Sequence, residues 1–130
     1  MKIVANLAGA LLGLLFLVFA SNFFLHFIPM PPGPPPGSPP ALFMGALIPT
    51  GYFTFVKIIE LLGGLMVAIP KTRAIGLLFL GPVIVNILAF HLFLAKGAGL
   101  TDPVVLLVVF LALFLLIVER KAFSGLVRDR

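Results

Sequence analysis

Lys57 and Glu60 stand three residues apart in the stretch Phe55-Val56-Lys57-Ile58-Ile59-Glu60-Leu61-Leu62-Gly63-Gly64. On a helix that spacing puts an ammonium and a carboxylate on one face. Such a pair can relay a proton, and the ammonium can donate a hydrogen bond to a carbonyl-bearing ligand. The surroundings are apolar, and ionisable groups at bilayer depth are costly enough to mark a site by default. Five other side chains are candidates to join the pair in binding a ligand or relaying protons: Asn22, His26, Tyr52, Asn86 and His91.

The composition says what must hold these groups. Of 130 residues, 62% are hydrophobic and only 10% charged, with a mean hydropathy of +1.27. Soluble domains average roughly a quarter charged residues. An ordinary globular protein is excluded, and a single compact membrane domain over residues 1–130 is expected. The net charge is +5, but the cations sit at segment ends. Nucleic acid would require a clustered, solvated basic stripe, so it is not an expected partner. With no cysteine in the chain, disulfides, thiolate metal sites, thiol redox chemistry and palmitoylation are removed. No metal site is expected.

Residues 3–27 form the first apolar run. Val18-Phe19-Ala20 imitates a signal-peptidase site, but the run continues past Ala20 and is long enough to span. Gly9 and Gly13 form a small-xxx-small pair that permits close helix approach. Residues 29–40 lack most amide donors and read as an extended polyproline loop, either a stiff connector or a lid over the bundle mouth. Ser38-Pro39 opens a short interfacial helix over 39–48. Further spans are expected at about 50–69, 74–94 and 103–118. Pro82 should kink the third and loosen the carbonyl of Leu78. Thr101-Asp102-Pro103 is a cap-then-proline start to the fourth, and residues 119–130 read as a basic cytoplasmic tail. The expected fold is all-α: a polytopic four-transmembrane-helix bundle with a short outer interfacial helix. Lys2, Lys71, Arg73, Arg120, Lys121, Arg128 and Arg130 fall on one side of this layout and only Lys96 on the other. Both termini are therefore expected to be cytoplasmic, in a bacterial inner membrane, with the proline loop outside.

At about 1.5 Å per residue, Glu60 lies roughly 15 Å from the cytoplasmic boundary, Lys57 and Asn86 slightly under 20 Å, and His91 about 25 Å. Tyr52 and Asn22 come near 27 Å and His26 just above 30 Å. Unpaired polar groups in hydrocarbon cost several kcal/mol each. Their shared depth band predicts a polar pocket in the outer half of the bundle. The competing reading is that Lys57, Glu60 and Asn86 are interhelical glue.

Gly51-Tyr52 leading into Val56-Lys57-Ile58-Ile59-Glu60-Leu61-Leu62-Gly63-Gly64, then Gly81-Pro82-Val83-Ile84-Val85-Asn86-Ile87-Leu88-Ala89-Phe90-His91-Leu92-Phe93, resembles the DoxX-like family of small bacterial membrane proteins. Asn22-Phe23-Phe24-Leu25-His26-Phe27-Ile28-Pro29 before the proline-rich loop is similar too. The resemblance covers nearly the whole chain. It implies a four-helix membrane bundle and a tilt toward quinone-linked redox, since members have been linked to thiosulfate–quinone oxidoreductase subunits and to oxidative-stress assemblies. It supplies no catalytic motif to transfer.

The first expected function is a redox-linked subunit binding a quinone or similar lipophilic molecule. Lys57 or His91 would donate to a carbonyl, Glu60 would relay protons, and Asn86 or Tyr52 would orient the ring. Without cysteine, electrons would come from a redox partner protein or a bound cofactor. The alternative is a non-catalytic scaffold or assembly factor for a partner complex. A proton-coupled small transporter ranks lower, because Lys57 should keep the Glu60 carboxylate ionised. Haem ligation by His26 and His91 is disfavoured by their different depths. Whether the chain is an enzyme is left open by its residues.

Overall fold

The computed structural model describes residues 2–29 and 32–128, and the described residues are all-helical without strands. Residues 30–31 of the proline segment and 129–130 of the basic tail lie outside them. Helix α1, Lys2–Leu25, has 24 residues, about 36 Å at 1.5 Å per residue and longer than a hydrocarbon core of about 30 Å. It stops at His26, whose φ of 54° is left-handed and whose N–H donates to the Asn22 carbonyl at 2.8 Å. That bond is the αL closure of a helix C-terminus, so the expected run to residue 27 ends two residues sooner.

After the proline segment, Ser38 caps α2, Pro39–Leu47. Its hydroxyl donates to the Pro35 carbonyl at 2.6 Å and accepts the Ala41 N–H at 3.4 Å. The chain then turns through Pro49 and Gly51, the latter at φ 84°, into α3, Tyr52–Ala68. α2 and α3 meet at 82°, so α2 lies across the end of the bundle. A 3₁₀ turn, Pro70–Thr72, leads into α4, Arg73–Ala89, and α4 runs into a π-helical turn, Phe90–Leu94. Helical structure is continuous from Pro70 to Leu94. Pro82 does not break it; the irregularity sits two turns later, where the Ala95 N–H reaches the Phe90 carbonyl at 2.9 Å. Asp102 caps α5, Pro103–Val118, accepting the Val104 N–H at 2.9 Å. The segment expected as a tail folds instead into α6, Arg120–Arg128, bent 68° from α5. Phe123 packs against the core, which gives these basic residues an apolar face to fold on.

Two helical stretches, Lys2–Leu25 and Pro70–Leu94, are long and apolar enough to cross a membrane, and up to four if each bent pair makes one span. Large apolar side chains face outward on every long helix, among them Leu7, Phe55, Val85 and Phe110. The core is formed by Leu12 and Phe16 of α1, Val67 of α3, Leu77, Leu80 and Ile84 of α4, and Leu111 and Leu115 of α5. α1 packs most extensively on α3 and α3 on α4, with α5 against α1 and α4. The closest approaches run through glycine. Gly13 faces the Gly64 carbonyl, and a Cβ on Gly76 would fall 2.6 Å from the Val67 amide. The start of α1, the start of α4 and the end of α5 meet at one end of the bundle, the base; α2 and the π turn lie at the other, the crown.

Candidate functional site

Glu60 is buried at 5% exposure within α3. Its Oε1 accepts a hydrogen bond from Lys57 Nζ at 3.2 Å, and the ammonium also sits 4.9 Å from the Phe53 ring centroid. Phe53 meets Phe23 of α1 edge-on at 5.3 Å. This ion pair is internal to α3. Removing one partner strands the other. Lys57→Met is expected to destabilise the protein by about 2 kcal/mol, whereas Lys57→Met combined with Glu60→Leu should recover most of that loss, because a buried pair often exchanges for apolar packing at little cost. Thermal unfolding of both variants in one lipid environment measures this; equal losses would show the two side chains uncoupled.

The other candidates, expected in one depth band, lie in differing surroundings. Asn22 is buried at 3% exposure, and its Oδ1 accepts the Ile28 N–H at 2.7 Å, folding the chain back after α1. His26 is the exposed left-handed cap, and Tyr52 stands 62% exposed at the start of α3. His91 Nδ1 bonds the Ile87 carbonyl at 2.8 Å, so that nitrogen carries the hydrogen, and its ring rests on Gly99, where a Cβ would lie 2.6 Å from Cδ2. Asn86 Nδ2 donates to the Pro82 carbonyl at 2.8 Å.

Asn86 does line a cleft of about 190 Å³ at the crown, with Phe43 of α2, Ala89, and Phe90, Phe93 and Leu94 of the π turn. None of the other six candidates lines it. α2 lies across the bundle end and brings Phe43 to 5.5 Å from Phe90. The wider π turn sets Phe90 and Phe93 about the same opening; such turns recur at functional sites. One amide hydrogen of Asn86 is engaged, which leaves a second hydrogen and the Oδ1 acceptor. The cleft therefore has aromatic walls and one edge that can hydrogen-bond.

A second polar cluster, at the base, is absent from the depth argument. Arg73 opens α4 at 3% exposure. Its Nη2 donates to Asn6 Oδ1 of α1 at 3.0 Å, its Nε to the Val67 carbonyl of α3 at 3.5 Å, and its Nη1 lies 3.6 Å from Glu119 Oε2 at the end of α5. One guanidinium thus clasps four helices. Gly9 makes room for it, since a Cβ there would lie 2.8 Å from Nε. Lys2, Ala5, Asn6, Pro70, Arg73, Val118 and Glu119 line a cleft of about 290 Å³ beside it. In the sequence Arg73 is one more cation of a basic turn, and the only signal of the clasp is Glu119 ending a span with no other polar residue.

The chain matches no family model, no curated protein and no solved structure.

Proposed function

We propose that this is a DoxX-like integral membrane protein, four-spanning with both termini in the bacterial cytoplasm, that serves as a redox-linked subunit holding a quinone or similar lipophilic molecule at the crown. Lys2, Lys71, Arg73, Arg120 and Lys121 belong to elements at the base and Lys96 to the crown loop, which favours a cytoplasmic base. The observation that carries the ligand reading is the aromatic cleft with the Asn86 carboxamide at its edge. Its volume, about 190 Å³, is below the roughly 300–1,000 Å³ that encloses a drug-sized ligand. It suits a ring head whose isoprenoid tail runs along the apolar outer surface. The ring would stack among Phe43, Phe90 and Phe93, and a carbonyl would accept the second Asn86 amide hydrogen.

Quinone retained by protein extracted without detergent, measured by mass spectrometry, tests the reading. Asn86→Leu is expected to lower the quinone-to-protein ratio roughly five- to tenfold, the scale of one lost hydrogen bond. The Lys57→Met/Glu60→Leu variant is expected to retain it. Unchanged content in Asn86→Leu removes the crown site; loss confined to the α3 variant moves the ligand to the ion pair.

The scaffold reading has one observation in its favour. Asn86 and His91 are each bonded to a carbonyl of their own helix, an arrangement that also serves plain helix stability. A chain that carries no quinone in any variant, yet co-purifies with one reproducible set of membrane proteins in all of them, would be such a scaffold.

A further inference from the structure

α6 and the basal cleft have no part in the crown reading, and they sit together. α6 leaves α5 at 68°, so it lies across the span and not along it. Phe123 turns into the core, Leu126 is 62% exposed, and Arg120 and Lys121 are exposed beside them. A short helix with a basic side and apolar anchors lying flat at a span end has the form of an interfacial helix. Beside it opens the cleft of about 290 Å³ between the first turns of α1 and the end of α5.

We propose that the base binds an anionic phospholipid, with the phosphodiester headgroup in this cleft and the acyl chains along the outward apolar sides of α1 and α5. This rests on the reading that the helices span a membrane with the base at its cytoplasmic face. The cleft offers two donors to a phosphate. Lys2 brings an ammonium, and Asn6 brings an amide whose oxygen alone is taken by Arg73. The one carboxylate in the lining, Glu119, is paired with Arg73 and so is already balanced. Arg120 and Lys121 follow the lining residue Glu119 in the chain and Lys71 stands between the lining residues Pro70 and Arg73, so the neighbourhood of the cleft carries further positive charge. Ile3, Val4 and Leu7 of α1 and Leu113, Leu116 and Ile117 of α5, all within a few residues of the lining positions in the chain, are exposed, and lipid chains would run along them. Charge and apolar surface are thus arranged in the order in which a phospholipid presents them. A free phosphate would use only the first part.

The protein reconstituted in vesicles of equal phosphatidylglycerol and phosphatidylcholine, then released for native mass spectrometry, reports which lipid stays bound. Wild type is expected to retain phosphatidylglycerol at least tenfold over phosphatidylcholine. Lys2→Gln with Lys121→Gln should reduce that preference about fivefold per removed charge, and helix content by circular dichroism confirms the variant is folded. Inorganic phosphate at 10 mM (about the upper range of a cell) should not displace the lipid; if it does, the site is a phosphate site and the proposal is wrong. Equal retention of both lipids by wild type, or an unaltered preference in a folded variant, would also overturn it. The orientation on which it rests is checked separately. The chain has no cysteine, so Gly33→Cys and Lys121→Cys can be labelled singly in intact cells with an impermeant maleimide. Labelling at position 121 would refute the cytoplasmic base, while vesicle retention still tests the lipid site itself.

Discussion

Gly13→Leu is expected to prise α1 from α3 and lower stability by more than about 3 kcal/mol, beyond the usual over-packing range. Even one methyl group at this position would collide with the Gly64 carbonyl oxygen and lie 2.8 Å from Ala68 Cβ. The obstacle is backbone, which cannot rotate aside as a side chain does. α1 could relieve it only by moving outward, which would also pull Leu12 and Phe16 from the core. Such a loss is a large share of a total stability of about 5–15 kcal/mol. Gly81→Ala is the control, because a Cβ there meets nothing within 4 Å; it should be neutral or gain up to about 1 kcal/mol from helix propensity. Reversible unfolding in mixed micelles measures both. If Gly13→Ala and Gly81→Ala behave alike, the close α1–α3 approach is not what holds the bundle.

Arg73→Met should cost about 3 kcal/mol. Breaking a buried ion pair from one side costs roughly 3–5 kcal/mol, and the lower end applies because Glu119 keeps part of its side chain in contact with solvent. The variant also strips the hydrogen bonds to Asn6 and to the Val67 carbonyl. Lys71→Met, two residues away, removes an exposed cation and should change stability by less than about 0.5 kcal/mol. Arg73→Met with Glu119→Gln should win back part of the loss, giving the coupling directly. The same unfolding assay decides it: equal effects at positions 71 and 73 would reduce Arg73 to another basic residue of the turn. The contrast matters for function too, since a base held by this clasp is the frame around the lipid cleft.

Much of the helical order can be read in the residues. Ser38 and Asp102, each followed by proline, announce helix starts, and both side chains accept the expected amide hydrogens. The Lys57–Glu60 bond follows from spacing alone, because three residues on one helix bring the side chains together whatever surrounds them. Gly9 and Gly13 stood out as places where backbones could approach, and Gly13 faces the Gly64 carbonyl. α6 was less legible. Its charges dominate a short segment, and its apolar side acquires meaning only when Phe123 has a core to enter.

Counting residues along an axis assigned each polar group an expected height, because the rise of a helix is constant. It could not determine which way that group points, because rotation about the axis is settled by how glycine faces and core side chains of neighbouring helices fit. The same count puts Asn86 and Lys57 at one height, yet Asn86 lines an aromatic cleft with Phe43 of α2 and Lys57 bonds a carboxylate of its own helix. The π turn shifts every later side chain off the regular helical period, so no periodic pattern could have placed Phe90 and Phe93 beside Phe43. Arg73 is the clearest case. Its position near the base was written in the chain, but the slot left by Gly9 and the arrival of Asn6, Val67 and Glu119 around one guanidinium exist only once four helices are packed.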